Sequence, residues 1–206
     1  MSVLGIINLS KLDQTIVDPN GYVKMIETSI LRLDSFIQKI IEYYKNAKLQ
    51  PDYEQIDFSA LIEDCIELSR RQNNDVEFDV EVDQQGEFYG DLFRISIILN
   101  NLISNAIKYQ NPDNSEPIVR LNAVSDRYKA VISIEDNGVG IIADHLNNIF
   151  KMFFRTKNSN KPGSGIGLYI VKEALSRIGG TITVSSVFGE GTKFVITIPC
   201  QNATRS

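Results

Sequence analysis

Two amides and an ammonium recur at helical spacing in Asn101-Leu-Ile-Ser-Asn105-Ala-Ile-Lys108. Residues at i, i+4 and i+7 share one face of a helix, so all three groups point the same way. An Asn carbonyl is a hard oxygen donor suited to Mg²⁺, which fills the rest of its shell with water and phosphate oxygens. Lys108 offers a point charge to a phosphate. The alternative is a solvated polar face with no ligand.

Asp136-Asn-Gly138-Val-Gly140 follows an alternating run in which Ile132, Ile134 and Asp136 fall on one side of a strand. A carboxylate that ends an apolar row needs a partner, and an exocyclic amine such as that of adenine is a good one. Glycines 138 and 140 let backbone approach a flat ring closely. A plain Asx turn is the competing reading, since Asp-Asn-Gly makes one readily. Gly163-Ser-Gly165-Ile-Gly167-Leu168 opens a helix. Free N–H groups in such a stretch can wrap phosphate oxygens at the positive helix end; a flexible hinge would use the same glycines. No Gly-Lys-Ser/Thr follows, which excludes a P-loop, and no strand precedes, which argues against a dinucleotide fingerprint. Phe150, Phe153, Phe154 and Arg155 lie inside a long polar stretch. They either dock back on the core or serve a lid, with Lys157 and Lys161 near phosphates. His145 is the only histidine. It has no Cys or second His for a metal and no Ser/Asp arrangement for a triad, so a surface position is expected.

These groups need a scaffold, and the pattern supplies one in two regimes. Asp18-Pro19 reads as a helix start. Beyond it Tyr22, Ile26, Ile30, Leu33, Ile37, Ile40 and Tyr44 recur at 4, 4, 3, 4, 3 and 4, a seam as in coiled coils and bundles. Met25, Leu31, Phe36 and Ile41 widen it, which favours a bundle over a two-stranded coil. Residues 3–9 look like the tail of another helix that begins mid-pattern. After Leu49-Gln-Pro51-Asp52 the pattern becomes mixed. Helices are expected over 59–70, 91–108 and 166–178, the second capped by Asp91 with Leu92, Ile95, Leu99, Leu102 and Ala106 buried. Strands are expected over 76–82, 118–124, 130–135, 181–185 and 192–199. Gly179-Gly180 ends the last helix.

Composition narrows the class. The 206 residues are 43% apolar and 23% charged with net charge −5, and no basic stripe for duplex nucleic acid is present. No run approaches the ~20 apolar residues of a membrane span, and no signal peptide is visible at the N-terminus. Two distant cysteines, Cys65 and Cys200, make no disulfide framework, which suits a reducing cytoplasm.

In order and spacing the motifs resemble the ATP-binding domain of bacterial sensor histidine kinases, the fold shared with Hsp90, gyrase B and MutL. Asn101 to Tyr109 resembles the N box, Asp136 to Gly140 the first glycine box and Phe150 to Arg155 the phenylalanine box. Gly163 to Leu168 resembles the second glycine box, and Gly189-Glu-Gly191-Thr192-Lys-Phe194 the closing turn. The first regime resembles the dimerisation and phosphotransfer hairpin. The resemblance implies an α+β fold: a helical hairpin over 1–50, half of a dimeric four-helix bundle, then a two-layer α/β sandwich over 51–206. It implies ATP and Mg²⁺ as cofactors, with Asn105 the metal ligand. Asn101, Lys108 and Tyr109 would contact phosphates or ribose. Asp136 would read the adenine amine, with Gly138 and Gly140 beneath the ring and Thr192 lining the pocket. Arg155, Gly163, Gly165, Gly167 and Leu168 would belong to the lid over the triphosphate.

The family's phosphoacceptor His opens the hairpin, and the stretch from Ser2 resembles what lies about two turns after it. Either the acceptor lies upstream of Met1, in a longer protein, or the chain has lost it; a first helix that begins mid-pattern favours the former, and these 206 residues alone are expected to bind nucleotide without phosphorylating themselves. The implied partners are a response-regulator receiver domain and a second copy through the hairpin. Nucleic acid is not among them, and a membrane would be reached only through upstream segments. Two relatives of the pocket are alternatives. An ATPase clamp would need a general-base Glu where Asn101 stands. A Ser/Thr kinase of the anti-sigma type shares the pocket but lacks the long hairpin.

Overall fold

The computed structural model describes residues 19–70, 76–114, 116–155 and 163–201. The helix expected over 3–9, Asp18, Lys157 and Lys161 lie outside them. A long helix α1 (Pro19–Lys48) leads into a small strand β1 (Glu54–Gln55) and α2 (Phe58–Arg70). Then follow β2 (Glu77–Gln84), β3 (Tyr89–Gly90), α3 (Leu92–Lys108), β4 (Ile118–Ser125) and β5 (Lys129–Asp136). The chain closes with α4 (Ala143–Leu146), α5 (Gly167–Arg177), β6 (Thr181–Val187) and β7 (Gly191–Pro199).

Five strands form one sheet in the order β2-β4-β5-β7-β6; β1 and β3 make a separate two-stranded ribbon. Only β2 and β4 run parallel; the other neighbours are antiparallel. The period-two pattern sends Ala130, Ile132 and Ile134 of β5 and Phe194, Ile196 and Ile198 of β7 to one face, where all are buried. Helices α2, α3 and α5 cover that face and complete the core with Ile62, Ile98, Leu99, Leu102, Val171 and Leu175. Each such side chain contributes about 1.5–3 kcal/mol relative to exposure. The result is a helical segment followed by a two-layer α/β unit.

Local chemistry sets the element ends. The Asp91 carboxylate accepts the Arg94 backbone N–H at 2.9 Å and caps α3. Gly179 takes φ +70, and the Gly180 N–H returns to the Leu175 carbonyl at 2.8 Å, closing α5. Leu92, expected on the buried face of α3, is instead 37% exposed. It stands at the first helical position, where the helix is just leaving the surface. The stretch after Asn137 is also less irregular than expected, since α4 interrupts it.

Helix α1 carries two apolar faces that the sequence pattern merges. Phe36 and Tyr43 pack on Phe93, Ile97, Met152, Ile166 and Ile170, a cluster separate from the main core. Ile30, Leu33, Ile37, Ile40 and Tyr44 are exposed.

Candidate functional site

The open end of the sheet, α3 and the start of α5 converge on one region. Asp136 pairs with Thr192 across β5 and β7. Residues directly opposite in an antiparallel ladder project to the same side, so both side chains leave the sheet on its helix-covered face. The Asp136 carboxylate accepts the Gly138 N–H at 2.9 Å and the Thr192 backbone N–H. Burial pushes its carboxyl up to about 6; the two backbone donors pull it down, and neighbouring Glu135 adds to the rise. An acceptor held this way suits a neutral N–H donor.

The glycine turn after Asp136 is wedged into place. The Val139 N–H donates to the Tyr109 carbonyl at 2.9 Å. A Cβ on Gly138 would collide with that same carbonyl, so the turn lies flush against the C-cap of α3. Gly140 takes φ +66, and a side chain there would collide with the Val187 carbonyl. The Gly189 N–H closes on the Val139 carbonyl at 2.9 Å, which ties the turn between β6 and β7 to this wall.

On α3, Asn101 is only 5% exposed, so it does not belong to a solvated polar face. Its amide donates to the Ile97 carbonyl at 2.8 Å. Its oxygen faces α5, where a Cβ on Gly167 would stand 2.8 Å away. Asn105, one turn on, is half-buried, and no hydrogen bond to its side chain is found among the described residues. Its side-chain oxygen, a hard donor, is left to a ligand or to water. The Lys108 ammonium lies 4.5 Å from the Tyr109 ring centroid and reaches Gly163, where a Cβ would collide with it. Helix α5 begins at Gly167 with no side-chain cap, leaving its first N–H groups to meet an anion.

The phenylalanine stretch divides by role. Phe150 and Phe154 dock on the core, whereas Phe153 is 58% exposed with φ 63, a conformation rare outside glycine. Its N–H donates to the Gly165 carbonyl at 3.0 Å. Gly165 itself takes φ +73, and the Arg155 Cγ would lie 3.1 Å from a Cβ there. Leu168 packs on the core rather than facing outward. His145, expected on the surface, is half-buried, with its ring edge-on to Phe154 at 5.7 Å and Nδ1 buried without a partner.

Two functional-looking features escaped the sequence reading. Ser186, at the end of β6, accepts the Ile141 N–H at 2.8 Å and lies 2.9 Å from the Thr192 hydroxyl. It ends an inward row after Ile182 and Val184, the same signal that marks Asp136. Tyr169 of α5 lies tilted against Tyr43 of α1 with ring centroids 5.8 Å apart, and the hydrogen bond that its hydroxyl donates to Tyr43, with partial burial, holds that hydroxyl above the usual phenol range.

A sheet with one helix-covered face, a half-buried carboxylate at its end and glycine turns around an uncapped helix start define a nucleotide-binding ATPase unit. Residues 90–202 match the model of the histidine kinase-, DNA gyrase B- and HSP90-like ATPases, and the chain belongs to that family. Within it, the chain carries the ATP-binding catalytic core of the sensor histidine kinases. It is 32% identical over 207 residues to the aerobic respiration control sensor protein ArcB of Escherichia coli (strain K12), an alignment covering 94% of this chain and 26% of ArcB. A solved mycobacterial sensor histidine kinase MprB is 29% identical with TM-score 0.63, covering 72% of this chain and 99% of that one. Full-length ShkA in complex with AMPPNP shares the fold at 22% identity and TM-score 0.74, over 98% of this chain and 47% of that one. The chain thus spans about a quarter of ArcB.

Proposed function

We propose that this chain binds ATP with Mg²⁺ and acts as the catalytic part of a histidine kinase, passing the γ-phosphoryl to a histidine and from there to an aspartate of a response-regulator receiver domain. The observation that carries this reading is a convergence. Two segments meet here: the glycine stretch that leads into the uncapped start of α5 lies against α3, with Gly163 at the Lys108 ammonium and Gly167 at the Asn101 oxygen, and α3 carries Asn105 between Asn101 and Lys108. The helix start, the ammonium and the Asn105 amide are each a group that receives phosphate oxygen or its metal. In this reading Asn105 holds Mg²⁺ and Asp136 takes the adenine amine beside Thr192, Gly138 and Gly140. Lys108, Tyr109 and Asn101 border the phosphates and ribose, and Arg155 with Gly163, Gly165 and Leu168 belongs to the lid. Among the described residues no group of three or more His, Cys, Asp or Glu could hold a metal, so the ion depends on phosphate oxygens and water for the rest of its shell. Bound Mg²⁺ would neutralise charge on the triphosphate; the chain's own residues orient it and exclude water.

The reading divides the chain at about residue 50, with the helical part over 1–50 and the ATP-binding part over 51–206. The exposed row Ile30, Leu33, Ile37, Ile40 and Tyr44 on α1 supports pairing with a second copy. Among the described residues no helix is long and apolar enough to cross a membrane, and a cytoplasmic setting for this unit belongs to the same proposal. His145 is not the acceptor in this reading, because its ring is held against Phe154.

The test supplies a histidine-bearing helical hairpin in trans with γ-labelled ATP. Label lost in acid and retained in base, as expected for phosphohistidine, supports the proposal. Acid-stable label on a hydroxyl would instead favour a Ser/Thr kinase.

A further inference from the structure

Ser186 has one proton and two lone pairs, and every one is committed. Its oxygen accepts the Ile141 N–H at 2.8 Å. It lies 2.7 Å from the Gly191 carbonyl, and a carbonyl cannot donate, so the Ser186 proton occupies that bond. The Thr192 hydroxyl, 2.9 Å away, can then only donate to Ser186. With its proton spent there, the Thr192 oxygen has acceptor capacity alone. Thr192 is 7% exposed and shares its face with Asp136, whose carboxylate is likewise an acceptor.

We infer that Ser186 is a positioning residue that fixes the direction of the Thr192 hydroxyl and thereby makes this wall an acceptor-only surface selecting a 6-amino purine over a 6-oxo purine. The inference rests on the adenine reading of Asp136 and deepens it. A 6-amino group brings two N–H donors to two acceptors. A 6-oxo group brings a lone pair against the same wall and finds no donor, because Ser186 holds the one proton that could have turned to it. A buried polar group left unpaired costs more than one neutral hydrogen bond returns, so the discrimination is sizeable. Without Ser186, the Thr192 hydroxyl is free to rotate and donate.

Competition titrations with ATP and inosine triphosphate test this. The wild-type chain is expected to prefer ATP, and Ser186→Ala to shrink the preference about tenfold. Ser186→Thr, which keeps the hydroxyl, restores it. Thr192→Val shrinks it as well, and the double variant Ser186→Ala/Thr192→Val adds no further loss. A purely structural staple would weaken both nucleotides alike and leave their ratio constant; that constant ratio in Ser186→Ala overturns the inference. Should Ser186→Ala fail to fold, Ser186→Cys, whose thiol is a weak donor and acceptor, decides in the same way. A folded wild-type chain that binds neither nucleotide, or both equally, overturns the adenine reading itself and the inference with it.

Discussion

The Arg94 guanidinium of α3 donates from Nε to the Asn46 side-chain oxygen of α1 at 3.0 Å. The same guanidinium, 1% exposed, bonds the backbone carbonyls of Asn46 at 2.9 Å and Leu49 at 2.6 Å, and pairs with Asp91. The end of the long helix is thus tied to the start of the helix that carries Asn101, Asn105 and Lys108. A buried charge pair is weak evidence of net stability, yet removing one partner leaves the other uncompensated. Arg94→Ala is expected to destabilise the chain by about 3–5 kcal/mol in urea unfolding, and Asn46→Ala by about 1–3 kcal/mol. Equal, negligible losses in both would show that this junction does not hold α1.

Asp136 sets a pH dependence. Its carboxyl sits near 6 in the fold against an ordinary 3.8. The folded state therefore prefers the protonated form, and the stability this provides is present at low pH and lost as pH rises from about 4 through about 6. Relative to Asp136→Asn, which does not titrate, the wild-type chain should lose on the order of 3 kcal/mol across that window. Denaturant unfolding of both proteins between pH 4 and 8 reads it. Nucleotide affinity should run the opposite way, because the amine needs the ionised carboxylate: it should weaken as pH falls through about 6, and a flat profile would contradict the role.

Glycines of one turn should differ in their tolerance. Gly189 takes φ +91 with open space around it, whereas Gly191, at φ +140, lies where a Cβ would collide with the Asp136 carbonyl. Gly189→Ala should cost about 1 kcal/mol of backbone strain. Gly191→Ala adds a steric clash between β5 and β7 and should cost several-fold more, with loss of nucleotide binding. Thermal unfolding of the two variants compares them; equal shifts would contradict the packing described.

The thiols should separate too. Cys65 is buried, and that burial, with Asp64 nearby, pushes its thiol up to about 11. Cys200 is partly accessible. Under native conditions at pH 8 a maleimide should label Cys200 well before Cys65; the reverse order would show that α2 opens readily.

The strands and helices of the α/β unit were legible because their faces alternate with the right period. Ile132, Ile134 and Asp136 announced both a strand and its polar end, and the glycine boxes announced the turns that Gly138 and Gly140 make. Contacts between distant segments were not legible. Nothing local marks Arg94 as buried, since its partners Asn46 and Leu49 are more than 40 residues away. Leu92 looked like a core position by spacing, but spacing does not say where a helix enters the core. Spacing places Phe36 in one stripe with Leu33 and Ile37, although α1 turns it toward the ATPase unit and the others outward. Ser186 carried the same sign as Asp136, a polar residue ending an inward row, yet a serine there reads as an ordinary strand end until its partners are known.

Titration of the folded chain with a non-hydrolysable ATP analogue, with and without Mg²⁺, tests nucleotide binding most directly. The site predicts saturable binding that weakens at least about tenfold when Mg²⁺ is removed or Asn105 becomes Asp, and disappears in a folded Asp136→Asn variant. No binding by the folded wild-type chain, or undiminished affinity in both variants, would contradict it.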